Sequence, residues 1–401
     1  MKILSLLINL VPYHVARWSA VAGETGVDLV VVQARKEDEF RILETKVEGY
    51  CFKLETLGLD PDQPSVKRMR SCAADLMERH QPDVIVTCGY SFPVSLAFIE
   101  AAGKRRIPVI VCSESNQFDC RRNPILEWIK GQVVGLCQAG MVGGEPQRRY
   151  LAELGIPDER IFKGYNAVEN NHFKTGAEIA KKDQDKWRHQ YGLPENYFFA
   201  VSRFTEKKNI PALIDAYAAF RLRRPESKSH LLIAGDGSCR TQIEARIAHH
   251  ELKDWIFLKG AISYDDLPAH YGLAKAFILA SHTEQWGLVV NEAMAAGTPV
   301  LVSSRCGCAQ DLVIGGETGK CFDPSFPDEW ISALGWADQL ISEEREKIGR
   351  QAQTHIESWS PANFSTNLIQ AAHSAKKAPP SGFNLWHRLL LGLLMIRGEK
   401  S

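Results

Sequence analysis

The chain has 401 residues, long enough for two or three domains with sizeable cores. Lys plus Arg equals Asp plus Glu at 48 each, so charge gives no reason to look for nucleic acid or a polyanionic partner. Apolar residues at 45% and charged residues at 24% suit a water-exposed globular protein, and no stretch reaches the roughly 18–20 consecutive apolar residues of a spanning helix.

The amino end, MKILSLLINLVPYHVARW, carries one lysine and a short apolar run. No small-residue cleavage site follows it, and Pro12 and His14 interrupt it. A buried first strand from Lys2 to Leu7 or Asn9 is therefore expected rather than a signal peptide. From there strand and helix alternate, the pattern of a parallel sheet covered on both faces. Val27–Gln33, Asp83–Thr87, Pro108–Cys112 and Ala139–Val142 read as strands. Ser65–His80, Phe92–Gly103, Ile125–Val134 and Pro146–Leu154 read as helices. Asp60-Pro61-Asp62 reads as a turn, and no D-x-D closes a strand. Residues 176–196 are polar and charged, which predicts a surface helix feeding an interdomain linker. A second α/β half starts at Tyr197–Val201, with Arg203 and the Lys207-Lys208 pair just beyond. It continues through a helix at Pro211–Arg224, a strand at His230–Ala234 ending in Gly235-Asp236-Gly237, an amphipathic stretch Thr241–His250, a strand at Trp255–Leu258 and a helix at Tyr264–Tyr271. The ten cysteines are scattered without a C-x-x-C pair, and Cys306, Cys308 and Cys321 lack a second ligand pair. Free thiols in a reducing cytoplasm are the expectation.

The most informative stretch is Lys275–Ser303, KAFILASHTEQWGLVVNEAMAAGTPVLVS. It reads as strand, polar loop, short helix and strand, with Gly287 allowing a sharp entry and Gly297-Thr298-Pro299 ending the helix. Glu284 stands in the loop and Glu292 on the helix. Between them the helix start presents N–H groups near Gly287, Leu288 and Val289 that no helical bond uses, a ready anion site. A phosphate there, flanked by acids that accept hydroxyl hydrogen bonds, fits a nucleotide-sugar.

The spacing of Glu284 and Glu292 resembles the E-x7-E motif of glycosyltransferase family 4, the retaining GT-B enzymes of group 1. Gly287-Leu288, Glu292-Ala293 and Gly297-Thr298-Pro299-Val300 also fall where that family has them. SRFTEKKN resembles the family's G-R-L-x-x-x-K-G element, with Ser202 and Asn209 in place of its flanking glycines. The resemblance implies a GT-B fold: α/β, with two doubly wound parallel-sheet (Rossmann-like) domains facing across a cleft. The expected organisation is an acceptor-side domain at 1–175, a linker region at 176–196 and a nucleotide-sugar-binding domain at 197–359. A helix at 360–377 is expected to cross back to the first domain, followed by an apolar helix at 383–396.

By the same resemblance Arg203 and Lys208 bind the donor diphosphate, Glu292 takes the ribose hydroxyls and Glu284 the transferred sugar. Gly287, Leu288 and Val289 cradle the phosphate, Gly235 lines the same strand ends with a structural role favoured, and His282 lies in the donor loop, where a plain surface histidine is the alternative. No cofactor and no metal are implied. The family's usual mid-domain histidine is missing. Glu114, in VIVCSESNQFD, and His14, in VPYHVAR, are the candidates to replace it on the acceptor side. The expected activity is transfer from a UDP- or GDP-sugar to a saccharide or lipid-linked acceptor, in polysaccharide or glycolipid synthesis. The alternatives are an inactive sugar-binding or scaffold protein and an epimerase or phosphorylase of the same fold. The tail FNLWHRLLLGLLMIRGEK is too short to span, and either lies in a membrane interface or docks on the protein. The expected location is the cytoplasm, with the inner face of the membrane if the tail binds it.

Overall fold

A computed structural model describes residues 1–35, 50–59 and 65–398. Asp60-Pro61-Asp62 lies outside them. The chain divides into two compact units, one running from Met1 to Ala167 and resuming at Pro361, the other spanning Val168–Ser360.

The first unit is built on seven parallel strands: β1 (Lys2–Leu7), β2 (Asp28–Gln33), β3 (Lys53–Thr56), β4 (Val84–Cys88), β5 (Val109–Ser113), β6 (Ala139–Val142) and β7 (Ile161–Lys163), in spatial order β3-β2-β1-β4-β5-β6-β7. Between them run α1 (Pro12–Ala22), α2 (Val66–His80), α3 (Pro93–Arg105), α4 (Pro124–Val134) and α5 (Glu145–Glu153). Side chains alternate across the sheet, as the two-residue period of a strand demands. Leu4, Leu6, Val30, Val32, Ile85 and Val111 face α2 and α3, while Ile3, Leu7, Val31, Val86 and Ile110 face the layer holding Trp18 and Phe364.

Two carboxyl-terminal helices belong to this unit. The first, Pro361–Lys377, buries Phe364, Leu368, Ala371, Ala372 and Ala375 in that second layer. The last, Leu385–Gly398, puts Leu391 and Met395 into the other layer, and Phe383 just ahead of it rests on Gly103, where a Cβ would come within 2.7 Å of its ring. The tail thus docks on the protein through one face. Its other face exposes Leu385, Trp386, Leu389, Leu393 and Ile396.

The second unit has six parallel strands: β8 (Tyr197–Val201), β9 (His230–Ala234), β10 (Ile256–Gly260), β11 (Ala276–Leu279), β12 (Val300–Ser303) and β13 (Gly319–Phe322), in spatial order β10-β9-β8-β11-β12-β13. The stretch expected to feed a linker forms α6 (Asn170–Lys182) and α7 (Gln184–Tyr191) of this unit instead. The reason is a buried stripe: Phe173, Ala177 and Ala180 enter the core at helical spacing, so polar composition hides a packed face. The break between units accordingly falls at Ala167 and Val168 rather than after residue 175. The short helix α8 (Leu288–Ala295) follows β11, and two helices absent from the sequence reading, Pro327–Gln339 and Ser342–Ile356, close the unit.

Candidate functional site

In both sheets the first strand lies between its successors. β8 pairs with β9 on one side and β11 on the other, and β1 with β2 and β4. The winding direction reverses there, and loops leaving the carboxyl ends of the two strands diverge to leave a crevice, the place where open α/β sheets hold ligands. The sequence-predicted site residues sit at these two points.

In the second unit the loop after β8 carries Arg203, Lys207 and Lys208, and the loop after β11 carries His282 and Glu284. They meet directly: Lys208 Nζ donates to a Glu284 oxygen, and Lys207 Nζ lies 3.4 Å from the other oxygen. The backbone N–H of His282 donates to the Lys207 carbonyl at 2.9 Å, tying the loops together, while its ring is exposed. Burial alone would raise the Glu284 carboxyl, yet the two ammonium groups hold it below the ordinary value. Arg203 is exposed at the rim and enters no ion pair among the described residues.

Backbone geometry explains the small residues. Gly287 has φ 111°, and a Cβ there would come within 2.7 Å of Leu279. Leu288 and Val289 then form the first turn of α8, both partly exposed. Gly235 has φ 127°, and an added Cβ would fall on the Ser202 carbonyl. Its place is behind the Arg203 loop as a backbone support. Asn209, where the family pattern has glycine, takes the left-handed conformation itself at φ 57° and donates from Nδ2 to Ala280 O at 3.3 Å. Asparagine tolerates that region better than other side chains, so the departure preserves the turn. Trp286, buried, anchors the loop by donating to Asn291 Oδ1 at 2.9 Å.

Glu292, one turn into α8, accepts a 2.8 Å hydrogen bond from the hydroxyl of Tyr271, a fully buried residue that the sequence reading does not single out. Part of Glu292 remains exposed, but its surroundings are apolar enough that burial pushes its carboxyl up to about 7, against the lowering effect of Tyr271. The two glutamates therefore differ in kind: Glu284 is charge-compensated and Glu292 is not. Cys306 and Cys308 are buried thiols whose pKa values burial raises. Among the described residues no three His, Cys, Asp or Glu side chains are grouped to hold a metal ion.

The sequence model of the family described as "Glycosyl transferases group 1" matches residues 181–355, the stretch that holds this geometry. Over that stretch the chain is similar to the group 1 glycosyltransferases. Within the curated proteins the chain is 30% identical over 220 residues to D-inositol 3-phosphate glycosyltransferase of Corynebacterium urealyticum, covering 52% of this chain and 50% of that one. It is 29% identical over 171 residues to mannosylfructose-phosphate synthase of Agrobacterium fabrum, covering 41% and 37%. The chain thus spans about half or less of the length of these two relatives. Among solved structures, HepE of Anabaena in complex with UDP superposes with a TM-score of 0.74 at 18% identity, covering 93% of this chain and 100% of that one. Sucrose-phosphate synthase of Thermosynechococcus elongatus does so at 0.70 and 17%, covering 93% and 98%. The GT-B fold, with two Rossmann-like parallel-sheet domains, is the fold of this chain.

In the first unit His14 and Glu114 line one cavity of about 270 Å³ at the β1/β4 switch point, with Asn9, Arg17, Arg35 and Tyr165. His14 Nδ1 lies 3.1 Å from Asn9 O, and Glu114 accepts from Asn166 Nδ2. The structure brings together the two acceptor-side candidates, which stand 100 positions apart in sequence. It also adds Arg17, which shares a helix face with Tyr13 and His14 by its three- and four-residue spacing. That spacing was visible in VPYHVAR, but nothing there separates a buried arginine from a solvated one.

Proposed function

We propose that this protein is a retaining glycosyltransferase that moves a sugar from a UDP- or GDP-sugar to a saccharide or lipid-linked acceptor in polysaccharide or glycolipid assembly. The observation that carries the reading is the Lys208–Glu284 pair formed across the second switch point, beside a helix start that only glycine can enter. Breaking an anomeric C–O bond builds negative charge on the departing phosphate, and a fixed cation there stabilises the transition state more than the ground state. Lys208 supplies a point charge and Arg203 a planar fork for the diphosphate oxygens. When phosphate takes Lys208, the Glu284 carboxylate is released to accept sugar hydroxyls. Glu292 accepts the ribose hydroxyls. Solved complexes of HepE with UDP and with UDP-glucose support uridine as the base, while retention and a front-face route rest on the family resemblance. With two side-chain cations on the leaving group, turnover should survive EDTA.

A panel of nucleotide-sugars in a thermal-shift assay tests this, since a ligand that binds only the folded chain raises Tm. A donor that does so should also be hydrolysed slowly without acceptor, with the α- or β-configuration kept. If no nucleotide-sugar raises Tm, the donor site is misassigned.

The apolar row Leu385, Trp386, Leu389, Leu393 and Ile396, with exposed Trp128 centred 6.4 Å from Trp386, supports contact with a membrane that presents a lipid-linked acceptor. No helix of the described residues is long and apolar enough to cross a membrane. Each leucine inserted at an interface is worth at best about 1.5–3 kcal/mol, so a few give reversible binding. Removing the helix would also remove Leu391 and Met395 from the core, so surface substitution is the cleaner probe. Leu389→Ser with Leu393→Ser should abolish cosedimentation with phosphatidylglycerol vesicles and leave donor hydrolysis intact; unchanged cosedimentation rules the membrane contact out.

A further inference from the structure

Two acidic or basic side chains among the described residues, Glu100 and Arg17, are each only 1% exposed. Their surroundings differ sharply. Glu100 accepts from Arg70 at 2.8 Å and Lys104 at 2.6 Å, with Arg388 3.9 Å away. Arg17 has no carboxylate partner among the described residues. Its Nε donates to Ala167 O at 2.8 Å, and its guanidinium lies 4.8 Å from the ring centre of Tyr13 and 5.0 Å from that of Tyr165. Its Nη2 is buried without a hydrogen-bond partner among the described residues. A guanidinium stays ionised under all ordinary conditions, so an enclosed one must be compensated by an anion or carry an uncompensated desolvation cost. Two tyrosine faces offset only a fraction of that cost.

Arg17 lines the cavity at the first switch point, with Arg35 on the same wall. Among the described residues the one carboxylate of that wall, Glu114, accepts from Asn166 and forms no ion pair with Arg17. The cavity thus offers a donor fork and a hydrogen-bond acceptor at separate places. An oxyanion matches the fork, since carboxylate and phosphate both take two parallel N–H bonds, and a hydroxyl matches Glu114.

We propose that this cavity binds an anionic, hydroxylated acceptor, its carboxylate or phosphate monoester held by Arg17 and a hydroxyl held by Glu114. This rests on the glycosyltransferase reading and names its acceptor class. Arg17 here is a binding residue for the acceptor and takes no part in holding the donor.

Calorimetry on the full chain, saturated with UDP so that the donor site is known to be filled, tests it with three probes: D-glucose, D-glucuronate and D-glucose 6-phosphate. At least one anionic sugar should bind tenfold or more tightly than glucose, and which one does so decides between carboxylate and phosphate. Arg17→Lys keeps the charge but loses the fork, and should erase most of that preference while UDP affinity stays the same. Equal binding of all three probes by the unaltered chain overturns the proposal, whether or not the variant folds. So does an undiminished preference in a folded Arg17→Lys protein. Failure of UDP itself to bind would count against the donor reading instead.

Discussion

The two switch points handle charge in opposite ways. In the second unit the cations after β8 meet an anion from the loop after β11: Lys208 and Lys207 close on Glu284. In the first, the buried cation after β1 has no such partner among the described residues, and the carboxylate on its cavity wall is held by an amide. A self-paired site positions its loops before any ligand arrives, and ligand must exchange one ion pair for another. A site with an isolated buried charge gains from ligand the compensation it lacks. The first arrangement suits a diphosphate that must leave again after reaction; the second suits selection of one charge class from many hydroxylated compounds.

The largest expected effect tests the paired site. Lys208→Ala should slow turnover about a hundredfold or more, as loss of a preorganised electrostatic stabiliser does, and Arg203→Ala should act in the same direction. The structure sharpens the expectation for Lys208, because its loss also leaves Glu284 with only the more distant Lys207. Full activity in Lys208→Ala under saturating donor would remove the phosphate role from this side chain.

The next effect separates the two glutamates of that unit. Hydrogen bonds to a charged group contribute about 1.5–3 kcal/mol, so Glu292→Gln should weaken bare nucleoside diphosphate about ten- to a hundredfold, while Glu284→Gln should spare it and reduce sugar transfer. The pH dependence follows from the raised Glu292 carboxyl. The native group holds its proton up to about pH 7, whereas the unfolded group releases it near 4.5. Between those values the native state binds more protons, so stability falls as pH rises and the loss is complete above 7. Glu292→Gln should therefore raise Tm of the free protein at pH 8 and scarcely at pH 4.5. Nucleotide affinity should rise from pH 6 to 8 in the parent and stay flat in the variant. A Tm gain independent of pH would mean that Glu292 is not the group titrating.

On the acceptor side the expected changes are smaller. Glu114→Gln and His14→Ala should each lower transfer about tenfold, the equivalent of one hydrogen bond to a charged group, with nucleotide binding unchanged by calorimetry. Parent rates in both variants would place acceptor activation elsewhere in the first unit.

What could be read from sequence follows the same division. Alternating apolar runs predicted most strands of both sheets within a residue or two, because a strand buried on both faces leaves little room for polar residues. That Lys208 and Glu284 would meet at the strand ends of the second unit was foreshadowed by their resemblance to two family motifs, each set on a strand–loop–helix turn. Other features were not, including β13 and the two helices that close the second unit. The polar α6 hides its buried stripe, β3 is a four-residue edge strand with no fully buried side chain, and Tyr271 reaches Glu292 from a different helix. Arg17 was invisible for a further reason: the burial of a charge depends on what packs over it, and for Arg17 that includes Tyr165 and Ala167, some 150 residues away.

The smallest expected effect concerns the turn that presents Lys208. Asn209 stands in the left-handed region at φ 57°, where a side chain with a Cβ costs roughly 1–2 kcal/mol and glycine costs little. Asparagine recovers part of that through its bond from Nδ2 to Ala280 O, itself part of the strand-to-loop junction that leads to Glu284. Asn209→Gly restores the family residue, relieving the backbone but losing the side-chain bond and freeing the unfolded chain, so stability should change by less than about 1 kcal/mol. Asn209→Ala keeps the strain and loses the bond, and should cost about 1–2 kcal/mol. Urea unfolding of the three proteins measures both differences. The Lys208–Glu284 pair should survive in the glycine variant, so its turnover should match the parent. Equal destabilisation by glycine and alanine would show that the hydrogen bond, and not the backbone angle, decides which residue this turn accepts.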